Sequence, residues 1–273
     1  MEIKNYLEQP NTKNWLDTKF KNEKEKDIFI KNVLSIWNKN KLFSKCELNS
    51  ILSACYQGML LNLPIDQNLG FIYVLPYYNE KENKYLAQLQ IGYKGYIQLA
   101  IRTGQYLTIN AIEVKDGELK NYNFLKEEYN FNWIEDKNQR IKKETIGYVA
   151  YFKLLNGFEK TLFWTKEQCK SHFSKYSQTY KKYGKFMVSG FGDMALKTVL
   201  STLLKKWGIM NIEMQEAYKY DQTVINDENN INYIDNQQLI NIESNNNINN
   251  ENENEKNNNF DENVLINDDL TLE

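Results

Sequence analysis

The sequence changes character near residue 221, and this change limits the folded body to the residues before it. From Asp221 onward, Asn supplies 18 of the 53 positions and no helical or strand period is visible. Such a segment buries too little apolar surface to offset the entropy lost on ordering. We therefore predict a disordered, acidic, Asn-rich tail over residues 216–273, preceded by an amino-terminal helical segment over 1–44 and a core over 45–215.

The body and the tail carry opposite charge. Residues 221–273 hold 13 acidic side chains against one lysine, a net charge of −12, whereas residues 1–220 hold 33 basic and 23 acidic side chains, a net charge of +10. This segregation favours a polyanionic partner for the body, most often nucleic acid. The tail is expected either to compete with that partner for the basic surface or to recruit another protein.

The hydrophobic pattern of the body predicts helices flanking a small antiparallel β-sheet with hairpins, an α+β fold followed by the disordered acidic tail. Asn156-Gly157, the strongest hairpin signal, joins strands at 145–155 and 158–164. Thr165 and Gln168 then resemble the opening of a helix. Further strands are expected at 70–77, 84–91, 106–115 and 129–134, and helices at 28–37, 48–61 (with Ser44 and Glu47 as its capping box), 95–103 ending at Gly104, and 196–207.

Several classes of protein are disfavoured by the same sequence. No apolar run approaches the roughly 18 residues that a bilayer span requires, and the amino terminus has no signal-peptide pattern, so we expect a cytosolic location and no membrane partner. The three cysteines have no CxxC spacing, which argues against a disulfide framework or a zinc site and favours reduced, buried thiols.

Catalytic chemistry also lacks a visible centre. His172 is the only histidine, and a lone histidine in a helix is more often structural than catalytic. No GxxxxGK[ST] loop occurs, and the GxGxxA match at Gly190–Ala195 lacks the preceding strand that dinucleotide binding needs. The acidic pairs Glu127-Glu128 and Glu135-Asp136 are typical of solvated turns. We therefore expect a protein that is not an enzyme.

Lysines interleaved with aromatic residues are the chemistry that the sequence does carry. Lysine neutralises phosphate, and an exposed ring stacks on an unpaired base, so the mixture suits single-stranded nucleic acid without sequence readout. Lys94, Gln98 and Arg102 recur at helical spacing, and the nearby Gly92 and Gly95 would let backbone amides approach a phosphate. A solvated face edged by amphipathic tyrosines is the alternative interpretation.

The helix at 196–207 has a second face that the apolar stripe does not use. Lys197, Ser201 and Lys205 fall on one line at four-residue intervals, opposite the leucines that are expected to pack. This face is therefore free to bind a ligand.

Five segments resemble the RecT family of phage and prophage single-strand DNA annealing proteins. They are QGMLLNLP (57–64), GFIYVLPY (70–77), QIGYKGYIQLAIRTG (90–104), GYVAYFKL (147–154) and FGDMALKTVL (191–200). The resemblance implies an ATP-independent protein of the bacterial host cytosol that coats single-stranded DNA as rings or filaments and anneals complementary strands during recombination. It implies no required cofactor, with Mg²⁺ at most modulating assembly. The partners that it implies are a homo-oligomer, the annealed duplex, an exonuclease and a host single-strand-binding protein.

Eight residues are the expected DNA contacts. The positive charges are placed on the short helix and on the last helix, and the remaining contacts are placed beside them or in the Lys- and Tyr-rich segment at 175–186. They are Lys94, Arg102, Lys197, Lys205, Tyr93, Tyr96, Lys182 and Lys185. Two rival functions stay open, a passive single-strand-binding protein without annealing activity and a nuclease or dinucleotide-dependent enzyme.

Overall fold

A computed structural model describes residues 2–79, 82–123, 125–177, 180, 190–221, 223–225 and 231–233. Its elements form the predicted α+β fold, in which small antiparallel sheets are flanked by helices. Lys182 and Lys185 lie outside the described residues, as does the predicted tail beyond residue 233.

The amino-terminal helices belong to the main hydrophobic core rather than to a separate segment. They are α1 (Ile3–Leu7), α2 (Pro10–Lys19) and α3 (Glu23–Lys39), followed by α4 (Leu48–Leu60). Asn22 begins α3 by accepting a hydrogen bond from the Lys24 amide. Leu16 and Phe29 are buried in the same cluster as Leu203 near the other end of the body. Residues 1–44 therefore fold as part of one unit with the predicted core.

The first hairpin and the short helix after it lie where the pattern places them. Strands β1 (Ile72–Asn79) and β2 (Lys84–Ile91) pair antiparallel, with Ile72 opposite Ile91. The inner face of β2 packs on α4, and α5 (Tyr93–Arg102) follows directly. Gly104 has the left-handed conformation (φ +68°) that suits the end of a helix.

A three-stranded antiparallel sheet in the order β3-β6-β7 supports the longest apolar helix of the second half. Its strands are β3 (Tyr106–Lys115), β6 (Thr145–Leu154) and β7 (Glu159–Thr165). Helix α8 (Phe191–Trp207) packs across this sheet and against α5, burying the predicted face, including Val199 and Leu203. Helix α7 (Lys166–Tyr176) opens with the predicted Thr165–Gln168 capping box.

Two local predictions are wrong. The segment between β3 and β6 contains a hairpin, β4 (Leu119–Asn123) with β5 (Glu128–Phe131), and a short helix, α6 (Lys137–Lys142), where only one strand is expected. Ser44 does not cap α4, because it lies in a 3₁₀ turn and its hydroxyl donates to the Lys41 carbonyl. The first error reflects a polar segment whose hydrophobic period is weak, and the second a short capping motif that a 3₁₀ turn occupies instead.

The ordered body extends past the predicted boundary at residue 215. Helix α9 (Ile212–Tyr220) buries Met214 and Ala217, and strands β8 (Thr223–Ile225) and β9 (Ile231–Tyr233) pair antiparallel after it. The compact unit spans residues 1–235. The start of the acidic segment is folded because it contacts α4, α5 and β2, which are distant in sequence and invisible to a period-based prediction.

The three cysteines are free and buried, as predicted for reduced thiols. Burial raises the pKa of each thiol to about 12, so all three are unreactive at neutral pH. Within the described part of the chain, no helix is long and apolar enough to cross a bilayer.

Candidate nucleic-acid interface

The amino-terminal end of α5 presents the predicted lysine to solvent. Lys94 is exposed, Tyr93 beside it is half-buried, and no carboxylate lies within ion-pair distance of the Lys94 ammonium group among the described residues. The stem of Lys94 runs along Gly70, 3.5 Å from the position that a Cβ atom would take there. Tyr73 lies close by, and its pKa is raised by burial and by the charge of Asp193. A cation and two tyrosines therefore meet at this point.

Gly92 and Gly95 serve packing rather than phosphate binding. A Cβ atom at Gly92 would lie 2.3 Å from the Gly70 carbonyl oxygen, and one at Gly95 would lie 2.3 Å from that of Phe71. The Gly92 amide already donates to the Phe71 carbonyl at 2.9 Å. Both glycines are required because the chain at residues 70–71 crosses α5 at backbone contact.

Tyr96 lies in the core and cannot stack on a base in this conformation. Its ring has no exposed surface, and it stacks on Tyr218 with a centroid separation of 5.3 Å. The Tyr96 hydroxyl donates to the Asp221 carboxylate at 2.9 Å. Burial raises the pKa of Tyr96 well above its usual value, and the nearby Asp221 charge adds to the effect. In this conformation Tyr96 therefore offers no ring surface to a base, and DNA contact at this residue stays a prediction.

Lys197 is an internal ion-pair partner. Its ammonium group lies 2.9 Å from the Asp221 carboxylate, and the two side chains are only 14% and 11% exposed. Asp221 also accepts the Ile91 amide at 2.8 Å. Lys197 therefore faces the chain itself rather than an external strand in this conformation.

Arg102 is engaged by the end of α4. Its guanidinium donates to the Leu61 carbonyl at 2.8 Å and to the Asn62 carbonyl, and it lies 3.9 Å from Glu213. Carbonyls at a helix end have no partner within the helix, so the guanidinium supplies one. These hydrogen bonds tie the Arg102 side chain to the end of α4, so Arg102 contributes to the stability of the fold.

Arg140, the other arginine of the chain, is also structural. It bonds the fully buried Glu118 carboxylate at 2.6 Å and the Glu113 carbonyl at 2.6 Å. Burial raises the pKa of Glu118, but the Arg140 hydrogen bonds and the backbone donors lower it by more. With both arginines occupied in this way, the surface cations of the described residues are chiefly lysines.

Lys205 is exposed and belongs to a second group of cations and rings. Its ammonium group lies 4.8 Å from the centroid of Tyr218. Partial desolvation lowers the pKa of Lys205, although Asp221 opposes the effect. Lys205 has no carboxylate within ion-pair distance among the described residues, so its charge is available to an anion.

His172 is packed among aromatic rings and positive charges. Its imidazole lies 5.2 Å from Trp164 and 4.7 Å from Tyr176 between ring centroids. Burial lowers the pKa of His172, and the charges of Lys205 and Lys175 lower it further. The imidazole is neutral at pH 7. The rings around it are half-buried, and with Lys175 and Lys205 nearby they form a mixture of aromatic rings and positive charges, which is the composition that single-strand binding uses.

A third group was missed by the sequence reasoning. Trp207, at the end of α8, lies close to two ammonium groups, those of Lys160 on β7 and Lys206 on α8, which are 4.8 Å and 5.1 Å from the ring centroid. Glu127, in the turn between β4 and β5, pairs with both lysines. The sequence alone shows only the adjacent Lys205, Lys206 and Trp207. Lys160 and Glu127 could not be assigned to this group, because they come from two hairpins that are distant in the sequence.

The arrangement can bind anions and bases. Among the described residues no three His, Cys, Asp or Glu side chains are grouped as a metal site would require. Of the expected contacts, Tyr93 and Lys94 lie together at the start of α5, whereas Lys205 lies in the group around Tyr218.

Comparison with known proteins gives one consistent result. The RecT family matches residues 27–235, which is most of the chain and ends at the boundary of the compact unit. YqaK of Bacillus subtilis strain 168 is 40% identical over 218 residues, covering 80% of this chain and 72% of that protein. Protein RecT of Escherichia coli K12 is 26% identical over 225 residues, covering 81% of this chain and 80% of that protein.

Proposed function

The chain belongs to the RecT family of DNA-binding recombination proteins, and we propose that it binds single-stranded DNA without ATP and anneals complementary strands in phage-type homologous recombination. Family membership over residues 27–235 is the observation that carries the proposal. The proposal is supported by the net charge of +10 on residues 1–220 and by several lysines that lie over aromatic rings.

Three lysines combine a position over a tyrosine ring with the lack of a carboxylate partner in the described ranges. Lys175 lies 5.1 Å from the ring centroid of Tyr176, Lys205 lies 4.8 Å from Tyr218, and Lys45 lies 5.9 Å from Tyr85. None of these ammonium groups has a carboxylate within ion-pair distance in the described ranges. These unpaired ammonium groups can neutralise the phosphates of a strand, and the rings below them keep them at the surface of the body.

The proposed mechanism needs alignment and charge screening rather than bond making. Lysines neutralise the backbone of one strand, and the rings hold it extended with its base edges facing a second strand. Each stacked step of the new duplex contributes about 1.4 kcal/mol, so pairing itself drives the reaction. Accordingly we propose that no cofactor is required and that Mg²⁺ at most tunes assembly.

The proposal includes an oligomeric ring or filament and a partner exonuclease that exposes the strand. Large apolar side chains that are exposed on the surface can form the contacts between copies of the chain in such an assembly. Leu107 and Leu155 are each 62% exposed and lie at one end of the three-stranded sheet, where the Leu155 amide donates to the carbonyl of Gln105, two residues before Leu107. Sedimentation with and without oligonucleotide tests for the assembly.

The test of the proposed function separates it from its rivals. A passive single-strand-binding protein would share the charge and the rings but would protect strands and slow their pairing. An enzyme of the nuclease class would shorten a labelled strand in the presence of Mg²⁺. We expect faster pairing of complementary oligonucleotides and intact strands, and the measurements are a fluorescence annealing assay and a denaturing gel.

A further inference from the structure

The group around Trp207 has the donors of an anion-binding site. Two ammonium groups, those of Lys160 and Lys206, lie about the indole ring, which is 37% exposed. The indole side chain also contributes to the lowering of the pKa of Glu127, whose carboxylate the two lysines hold. Two ammonium groups that both reach one carboxylate also suit the oxygens of a phosphate.

In this structure the carboxylate of Glu127 occupies that site. It lies 2.5 Å from the Lys206 ammonium and 3.7 Å from that of Lys160. The bond from Lys206 is the main reason that the pKa of Glu127 is below its usual value. Glu127 is thus fully ionised at neutral pH and acts as an internal anion.

The turn that carries Glu127 can move so that its carboxylate leaves the two lysines. Glu127 has a left-handed backbone (φ +56°), which is unfavourable for a residue with a Cβ atom, so departure from the site would relieve this strain. Leu125 in the same turn is 94% exposed, and the described contacts of the tip are the local hydrogen bonds from the Leu125 and Lys126 amides to the Asn123 side chain and one 3.5 Å contact from Lys160 to the Lys126 carbonyl. The hairpin below the tip is held separately, because Tyr129 and Phe131 pack on Phe163 of β7. The tip can therefore move while the hairpin stays in place.

We propose that Lys160, Lys206 and Trp207 bind a backbone phosphate of single-stranded DNA, and that Glu127 occupies this site until the strand displaces it. The inference rests on the proposed single-strand binding and adds a contact and a built-in competitor to it. Replacing one anion by another keeps the two lysines neutralised in both states, so the exchange weakens binding without abolishing it.

The experiment compares Glu127→Gln with Glu128→Gln in the full chain. Glu128 is exposed and has no ion pair among the described residues, so its substitution makes the same change of net charge one residue away. Fluorescence anisotropy of a labelled oligo-dT at about 50 mM NaCl is the readout. Glu127→Gln should tighten binding about three- to tenfold, the size expected of one half-buried charge pair, and Glu128→Gln should change it less than twofold.

Two further variants make the assignment specific. Glu127→Gly removes the carboxylate and suits the left-handed backbone, so it should tighten binding equally while the melting temperature is kept. Lys160→Ala/Lys206→Ala should weaken binding and flatten the log–log salt dependence by about 0.7, the value for one phosphate on a single strand. In that double variant, Glu127→Gln should no longer tighten binding.

The outcomes separate this inference from the proposed function. If the unaltered protein binds no oligo-dT, the proposed function itself fails. If it binds and the two glutamine variants tighten binding equally, general charge explains the effect and the inference is overturned. The inference is equally overturned if Glu127→Gln and Glu127→Gly leave the affinity for oligo-dT unchanged or reduce it, because Glu127 would then only stabilise the turn.

Discussion

The Asp221 carboxylate binds the Lys197 ammonium group at 2.9 Å, although Asp221 stands at the start of the acidic segment and Lys197 on the apolar helix α8. The same carboxylate accepts the Tyr96 hydroxyl and the Ile91 amide. One acidic residue therefore joins α5, α8 and β2 to the end of α9, and the fold continues into the region whose composition predicts disorder.

Asp221→Ala should destabilise the protein by about 2–4 kcal/mol, because it leaves three donors, one of them charged, without an acceptor in a buried place. Urea unfolding measures the change. Asp27→Ala is the matched control, since Asp27 is exposed on α3 and has no ion pair among the described residues, and it should cost less than about 0.5 kcal/mol. Equal stabilities for the two variants would contradict the structural role of Asp221.

Lys94→Ala should weaken binding of single-stranded DNA with no loss of stability, because its exposed ammonium group has no partner in the described ranges. The salt dependence is informative here. Five phosphate contacts give a log–log slope of roughly −3 to −4, and the variant should flatten it by about 0.7. Lys31→Ala, an exposed lysine on α3, removes the same charge and is the control. An unchanged slope for Lys94→Ala would remove this residue from the interface.

Arg102→Ala should act mainly on stability, by about 1–3 kcal/mol, because the Leu61 and Asn62 carbonyls lose their donor. Thermal unfolding measures this, and Arg102→Lys should recover only part of it because an ammonium group cannot span both carbonyls. The opposite pattern, an unchanged melting temperature with weaker DNA binding, would restore Arg102 as a phosphate contact.

Stability should fall as the pH drops from 7.5 to 5.5. His172 has a pKa below its ordinary value because it is buried beside Lys205 and Lys175, so the unfolded chain takes up its proton first. The stabilisation is complete above the unfolded pKa of about 6.5 and is lost below it, with a slope of at most about 1.4 kcal/mol per pH unit. His172→Gln should be less sensitive over this range, and an identical dependence in both proteins would contradict the assignment.

Truncation after Asp235 should tighten DNA binding at low salt if the acidic tail competes for the basic surface. Residues 236–273 carry nine acidic side chains and one lysine, a net charge of −8, and their removal keeps Asp221 and the β8–β9 pair. The gain should vanish near 0.5 M salt, where charges are screened within a few ångströms. An affinity that is unchanged at low salt would exclude the competition.

Local signals allowed much of the fold to be predicted from the sequence. Asn156-Gly157 and the Thr165–Gln168 capping box act within a few residues of themselves, and the apolar stripe of α8 needs only its own period. The site was harder, because exposure depends on distant partners. The sequence around Tyr96 favours an exposed ring, but the ring is buried and its hydroxyl binds Asp221, 125 residues away in the chain. Glu127 and Lys160 likewise come close to Trp207 only through the tertiary fold.

The most direct test of the account is the rate at which two complementary oligonucleotides, each carrying one dye of a fluorescence-transfer pair, pair in dilute buffer without ATP. The full-length protein should accelerate pairing above the spontaneous rate, and Lys94→Ala should reduce the acceleration. A rate no faster than that of the DNA alone, with the protein bound to the strands, would contradict annealing and leave a passive binding protein.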